Sequence, residues 1–385
     1  MRLALSSAAV LLVWITLFAS PLQAAEPTPY DPRYPIEAPP IAPYWGHRIM
    51  GMGGAFVGVA EGAEGIPTSL CSLANRRPNQ AGFFDYDLGL SWVIPANSID
   101  LDFREAPTPK DMRFVAFGGL VRLGRFGFGL FFDSADYAPE SNAGGQASVL
   151  RGSMGLGWAL PDDDFVLGMG YSLLGYTFAG PGGARVPYSF ANAFSVDLLY
   201  RPKHRPYRMG VSLKLPAVAR IDRSPGSGLP PAIVRPAEFA LGASWWLGDG
   251  EINTALPTTD EHLPLEPATT GLLVALDLFF VGPSRYEGMP AAGLAGYYEG
   301  RLELAGRRTT MGIRLGGETE AVPGAVRMRG GLWLEPSRYH GGVRPHLTGG
   351  FDVRLVRIYW WTFRISFSFD FAQDYAISSL GLGLW

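Results

Sequence analysis

In FFDYDLGLSWVIP, residues 83–95, Tyr86, Leu88, Leu90 and Trp92 alternate with Asp85, Asp87, Gly89 and Ser91. Successive side chains of a strand point to opposite faces, so this period of two places an apolar and a polar set on opposite sides. The pattern returns in Phe126, Phe128, Leu130, Phe132, and in Phe165, Leu167, Met169, Tyr171, Leu173. It returns again in Leu272, Val274, Leu276, Leu278, Phe280, and in Phe363, Ile365, Phe367, Phe369, Phe371. Beyond residue 25 the chain has no charge-free apolar run of about 18 residues or more, so no segment reads as a transmembrane helix. Charged residues make up only 17%, against about 25% in soluble domains, and aromatics reach 13%. A closed transmembrane barrel reconciles these facts, because its strands show lipid-facing residues only at alternate positions.

Counting alternating runs from residue 81 gives about fourteen strands, most of about 10 to 14 residues, the length a tilted strand needs to cross a bilayer. Turn sequences such as Gly124-Arg125, Pro161-Asp162-Asp163-Asp164 and Val322-Pro323-Gly324 separate them. The expected fold class is therefore all-β: an antiparallel transmembrane β-barrel over residues 81–385, with both barrel ends on one side because the strand number is even. Residues 282–307, which contain GYYEGRLELAG, read as an extra hairpin arm. Trp92, Trp158, Trp245, Trp246, Trp333, Trp360 and Trp361 fall toward strand ends, where an amphipathic indole favours the headgroup boundary. The chain ends on Trp385, as an outer-membrane strand with a terminal aromatic does.

The N-terminal part obeys no such period. Residues 1–25 carry one charge, Arg2, then an apolar run from Leu3 to Phe18 and small residues at Ala24 and Ala25, the form of a cleaved secretory signal. Residues 26–80 begin with EPTPYDPRYPIEAPPIAPYW, whose prolines favour extended backbone. The glycine-rich RIMGMGGAFVGVAEGAEGIPTSLCSL, residues 48–73, follows. A structureless stretch of this length is expected to be packed inside something, and a plug in the barrel lumen is the expectation here. After the signal is removed, 31 basic side chains face 35 acidic ones, which leaves no basic footprint for nucleic acid. The single Cys71 has no internal disulfide partner and reads as a small buried apolar residue.

Three stretches carry a family resemblance. GMGGAFVGVAEGAEGIP, residues 51–67, lies just before the first strand and resembles the N-terminal hatch motif of the long-chain fatty acid transporter (FadL) and aromatic hydrocarbon transporter family of outer-membrane proteins. MGIRLGGETEAVPGAVRMRGGLWLEPSRY, residues 311–339, is similar to that family's late paired strands. LPPAIVRPAEFALGASWWLG, residues 229–248, is similar to its proline-led strand near mid-barrel. The resemblance implies a fourteen-stranded barrel in the bacterial outer membrane, plugged by its hatch, that passes hydrophobic molecules such as fatty acids or aromatic hydrocarbons without energy input. The chain departs from the pattern at two places. SLCSLAN, residues 69–75, stands where the family has an Asn-Pro-Ala-Gly turn, and short segments at 138–146 and 180–187 replace long outer loops.

If the apolar set faces lipid, parity places Arg208, Lys214, Arg314, Arg327, Arg329, Arg354 and Arg364 in the lumen, with Asp197, Asp277, Glu318, Asp352 and Asp370. Two readings stand side by side: a salt-bridged wall that holds the plug, and a site where Arg314, Arg327 and Arg329 bind a ligand carboxylate through paired guanidinium bonds. Phe131, Leu174, Leu273, Phe279, Trp246 and Trp333 also point inward, facing the hatch residues Met50, Gly51, Met52, Gly53, Gly54 and Phe56. The five histidines are scattered, and no nucleophile elbow, metal-ligand spacing or phosphate loop occurs, so neither enzyme chemistry nor a metal or other cofactor is expected. The expected partners are outer-membrane lipids and a hydrophobic small molecule. The alternative is a barrel that transports nothing and anchors an envelope protein complex.

Overall fold

The computed structural model describes residues 31–38, 46–75, 83–100, 103, 111–138, 146–179, 185–223, 229–249, 252–253, 271–298, 300–358 and 361–384. The signal-peptide reading, Trp360, Trp385 and most of the two short loops fall outside these residues. Fourteen strands close into one barrel. They are β1 (Phe84–Ile99), β2 (Asp111–Leu123), β3 (Phe126–Ala138), β4 (Gln146–Ala159), β5 (Phe165–Ala179), β6 (Arg185–Tyr200) and β7 (Tyr207–Lys214). The series continues with β8 (Glu238–Gly248), β9 (Gly271–Val281), β10 (Thr310–Val322), β11 (Val326–Pro336), β12 (Val343–Ile358), β13 (Trp361–Ala372) and β14 (Tyr375–Leu384). Every strand runs antiparallel to its sequence neighbour, and β14 closes on β1 in the register Leu90↔Leu382.

The alternation in the sequence is the alternation of the wall. On β13, Phe371 is 49% exposed on the outer surface while its neighbour Asp370 is fully buried inside. On β9, Leu276 at 46% contrasts with Asp277 at 0% in the same way. Exposed leucine, phenylalanine and tryptophan around the whole outer face make a surface for hydrocarbon, not water. Two expected girdle residues sit elsewhere. Trp92, Trp158 and Trp245 face outward, but Trp333 is buried inside, donating from Nε1 to Asp370 Oδ2 at 3.1 Å, and Trp246 packs on the hatch. Neighbouring tryptophans 245 and 246 must point to opposite faces, so only one can be in the girdle.

The wall is uneven. β7 has only eight residues; Pro216, two residues past its end at Lys214, lacks the N–H needed to extend the ladder. Beyond it the chain forms Ala217–Arg220, which pairs with Ala232–Arg235. These join a small sheet that also includes Arg285–Tyr286, Met289–Gly293 and Leu304–Ala305, with Ile36–Glu37 running parallel between Ala232–Arg235 and Met289–Gly293. The arm expected from residues 282–307 is thus part of this cap, contains the short helix Leu294–Tyr298, and adds no strand to the barrel. The cap lies over the barrel end opposite β1's start and β14's finish, since it grows from the β7–β8 and β9–β10 connections. The chain therefore passes through the lumen: residues 31–38 are at the capped end, and Asn75 is near the end where β1 begins.

Candidate functional site: the lumen plug and the lining above it

Residues 46–75, the segment expected to be a hatch, form a plug inside the barrel, and nearly every side chain in it is buried. Helix α1 (His47–Gly51) ends at Met52, where Gly53 and Gly54 take positive φ of 61° and 79° and turn the chain back on itself. A methyl group at Gly53 would stand 2.9 Å from the Leu332 carbonyl and 3.0 Å from that of Leu315, so the turn is pressed directly against the wall. Met52, Phe56 and Val59 pack with Leu273, Ala275 and Trp246, while Met50, Ile66, Leu70 and Leu73 join a larger apolar cluster.

Eight charges of alternating sign tie hatch to wall. Arg48 donates from Nε and Nη2 to the two oxygens of Glu318 at 2.8 and 2.7 Å, and from Nη1 to Glu61 at 2.8 Å. Glu61 also accepts from Arg208 at 2.5 Å, and Glu318 from Arg329 Nε at 2.6 Å. Arg329 grips Asp352 with both amino groups, Asp352 accepts from Arg364 at 2.5 Å, and Arg364 donates to Glu64 at 2.5 Å. Glu64 returns to the start by accepting from the Arg48 backbone N–H at 2.8 Å. Four arginines balance four carboxylates, which is how such charges survive without water. Burial would raise the Glu64 carboxyl, but the Arg364 guanidinium and its neighbours hold it below its ordinary value.

Wall carboxylates also cap the hatch backbone. Asp277 on β9 accepts from the N–H groups of Phe56 and Val57 at 2.7 and 2.9 Å, Asp87 on β1 from Ala63 at 2.7 Å, and Asp197 on β6 from Leu70 at 2.8 Å. At the hatch's end Arg122 on β2 donates to the carbonyls of Ser72, Leu73 and Asn75 at 2.9, 2.9 and 2.8 Å. Asn75 Nδ2 in turn reaches the carbonyls of Val59 and Ala60. SLCSLAN folds here as a 3₁₀ turn (Leu70–Leu73) with Ser69 capping the Cys71 N–H. Cys71 is buried against the Val166 carbonyl, and burial pushes its thiol up. His47 stands beside Ser379, Nδ1 to Oγ 3.1 Å, and its Nε2 has no hydrogen-bond partner among the described residues. Both side chains are buried, at 2% exposure each.

Between hatch and cap the lumen changes character. Val93, Phe114, Ala116, Phe131, Ala135, Val149, Leu174 and Tyr176 make one wall continuous with Ile66 and Leu70 below and Ile233 and Leu294 above. The opposite side carries Phe279 and Trp333, with Arg314 stacked 4.1 Å over the Phe279 ring. There Trp333 stacks on His346, whose two nitrogens reach Asp370 at 2.8 Å and Glu335 at 3.0 Å. The inner face is thus mainly apolar on β1–β6, interrupted by the buried Arg151–Asp133 pair, and carries more polar groups on β9–β13.

The structure separates the three arginines of the carboxylate reading. Arg329 has both edges of its guanidinium occupied by Glu318 and Asp352, and Arg327 pairs with Glu320 at 2.8 Å. Arg314 pairs in register with Trp333, four residues nearer the cap than Glu318, the partner of Arg329. Phe131, Phe279 and Trp333 are buried on the inner face of the barrel, and Met50, Gly51, Met52, Gly53, Gly54 and Phe56 are in the buried segment 46–75. Sequence reasoning missed Arg48, Glu61, Glu64, Asp87 and Arg122, because nothing in periodicity marks which polar residue of a plug meets which strand. It also missed Arg338, which donates to Glu37 at 2.7 Å, to the Val281 and Gly282 carbonyls at 3.1 and 2.7 Å, and to Thr310 Oγ1 at 3.0 Å.

No family model matches the chain, and no curated protein is similar to it. Solved structures are. The CymD monoaromatic hydrocarbon channel aligns over 88% of this chain and 96% of its own, with 13% identity and a TM-score of 0.55. The toluene transporter TodX of Pseudomonas putida aligns over 91% and 98%, with 12% identity and a TM-score of 0.53. A FadL homologue from Pseudomonas aeruginosa covers 93% and 98% at 11% identity, with a TM-score of 0.49. At such identities the likeness is one of fold: this chain's closed fourteen-stranded barrel shares the fold of CymD and TodX.

Proposed function

We propose that this chain sits in the bacterial outer membrane, with the capped end outside and the hatch toward the periplasm, and passes hydrophobic solutes down their gradient. The observation that carries this reading is the contiguous cluster of buried apolar side chains from cap to hatch inside a barrel whose outer face is itself apolar. A pore for ions or sugars keeps its lumen polar and wet. Here the lining from Phe114 to Tyr176 favours an alkyl chain or an aromatic ring, and transport of hydrocarbons by proteins of the same fold agrees with it. Long-chain fatty acids and monoaromatic hydrocarbons are the solute classes proposed, with movement of residues 50–65 opening the path. In this reading Phe131, Phe279 and Trp333 touch the solute and Arg314 supplies the polar pole of the chamber.

Photoactivatable analogues of a long-chain fatty acid and of an alkylbenzene test this directly. The expected adducts are on chamber residues such as Phe114, Phe131 and Tyr176. Adducts confined to outward residues such as Phe128 and Leu276 would contradict it.

A second reading is favoured by one observation: the hatch is bound by eight balanced charges and by capped backbone at four strands, an arrangement suited to a permanent seal. Under it the barrel is an anchor for an envelope complex. Isolation of a stable complex, with no change in solute uptake on deletion of the gene, would select it.

A further inference from the structure

We propose that Arg235 and Glu238 form a head-group site for a neutral hydroxyl, so that this barrel favours a hydroxylated hydrophobe, such as an alkylphenol, over the matching hydrocarbon or carboxylate. The inference rests on the reading that a hydrophobic solute enters the lumen, and it names the polar end of that solute.

Arg235 is the last residue of the cap strand Ala232–Arg235, and Glu238 is the first of β8. Side chains two apart on a strand share a face, so Arg235 points the way of Ile233, a member of the apolar cluster that runs from cap to hatch. By the same rule Glu238 shares the inner face of β8 with Ser244, which donates to the Gly58 carbonyl of the plug. Arg235 is only 4% exposed.

The two side chains face each other without closing. Arg48, Arg208 and Arg364 meet their carboxylates at 2.5 to 2.8 Å. Glu238 instead stands 3.5 Å from Lys214 Nζ on one side and 3.5 Å from Arg235 Nε on the other. Neither Nε nor Nη2 of Arg235 has a hydrogen-bond partner among the described residues, and neither has Oε1 of Glu238. Polar atoms buried without a partner are rare in folded proteins. Here two donors on one edge of a guanidinium and one carboxylate oxygen mark a place for a group that both accepts and donates.

A hydroxyl does both with a single atom, accepting from Arg235 and giving its proton to Glu238 Oε1. A carboxylate would suit the guanidinium edge but would set a second negative charge against Oε1 with no proton between them. The surrounding charges are already balanced. Arg235 has Glu238, Arg151 has Asp133, Lys214 has Asp197 nearby, and Arg314 stands in register with Asp277. A hydrocarbon leaves all three orphaned atoms bare. The body of the ligand has a lining as well: Ala240, two residues along β8 from Glu238, is the cross-strand partner of Phe279 and packs with the cluster of Phe279, Val281 and Trp333.

Three probes of one shape test the site: para-hexylphenol, hexylbenzene and para-hexylbenzoate. Their binding to the purified full chain in nanodiscs is measured by equilibrium dialysis against protein-free nanodiscs at neutral pH, where the phenol keeps its proton and the benzoate has lost its own. The phenol is expected to bind about tenfold tighter than either of the others. Arg235→Met should lower phenol affinity about tenfold and leave that of hexylbenzene within about twofold. Glu238→Gln removes the opposing charge and should raise the affinity for the benzoate. The heat-modifiable gel shift of a closed barrel verifies that both variants are folded. Equal binding of phenol and hexylbenzene by wild type, or phenol binding untouched by Arg235→Met, overturns the site and leaves its three atoms to water. Tighter binding of the benzoate than of the phenol overturns it in favour of a carboxylate site. Failure of all three probes to bind overturns the transport reading too, whereas hexylbenzene binding without preference for the phenol overturns this inference alone.

Discussion

Arg48 of the hatch and Glu318 of β10 lie 270 positions apart and meet through two hydrogen bonds of 2.8 and 2.7 Å on one edge of the guanidinium. Glu61, on the hatch itself, takes the remaining amino group. One side chain thus folds the hatch back on itself and fastens it to the barrel. Replacing Arg48 by Met leaves two buried carboxylates short of a partner, a loss of about 3–5 kcal/mol for a broken buried pair. We expect Arg48→Met to expose Cys71 to maleimide and to make the barrel leaky to ions, while the barrel itself still forms.

Arg122 has no exposed surface and clamps three carbonyls at the end of the hatch. Each carbonyl left unsatisfied costs about 1–3 kcal/mol. Arg122→Ala is therefore expected to lower the thermal midpoint of hatch release, followed by Cys71 labelling on heating, more than the conservative Arg122→Lys does.

The buried His47 gives the hatch a pH dependence. Burial drives its imidazole down to about 4 from an ordinary 6.5, with the nearby Glu64 carboxylate opposing and the Arg364 guanidinium assisting. A group whose pKa is depressed on folding adds stability above its unfolded value and loses it as pH falls toward the folded one. Hatch docking is thus expected to weaken from about pH 6.5 to 4 by roughly 3 kcal/mol. Cys71 labelling across that range should rise in wild type and stay flatter in His47→Gln. Glu64, held below its ordinary value, contributes its loss at more acidic pH.

Leu276 and Asp277 are neighbours on β9 with opposite fates, one facing lipid and the other capping the hatch. Leu276→Arg puts a charge into hydrocarbon, at about 2–4 kcal/mol near the midplane. Its unfolding midpoint in lipid vesicles, titrated with guanidinium chloride, should fall accordingly. A midpoint equal to wild type would remove β9's outer face from the membrane.

The barrel was legible because its rule is local. Phe363 to Phe371 declare their face by counting in twos, and all fourteen strands follow from such counts. The plug was legible as a place without period. The contacts that hold it were not, since Arg48 meets Glu318 and Arg338 meets Glu37 only once the chain has closed on itself. Parity put Arg314, Arg327 and Arg329 on the lumen side correctly, but it carries no information on height, and Arg314 stands nearer the cap than the other two. The cap escaped notice because its strands are two to five residues long and one of them, Ile36–Glu37, lies in a proline-rich stretch that reads as linker.

Uptake tests the central claim most directly. In cells deprived of the chain, labelled long-chain fatty acid and labelled alkylbenzene are offered to three strains: one restored with wild type, one with a chain lacking residues 51–65, and one with none. The account predicts that wild type restores entry of at least one solute class and that loss of residues 51–65 changes its rate and opens an ion leak. Equal entry of both solutes in all three strains would contradict it.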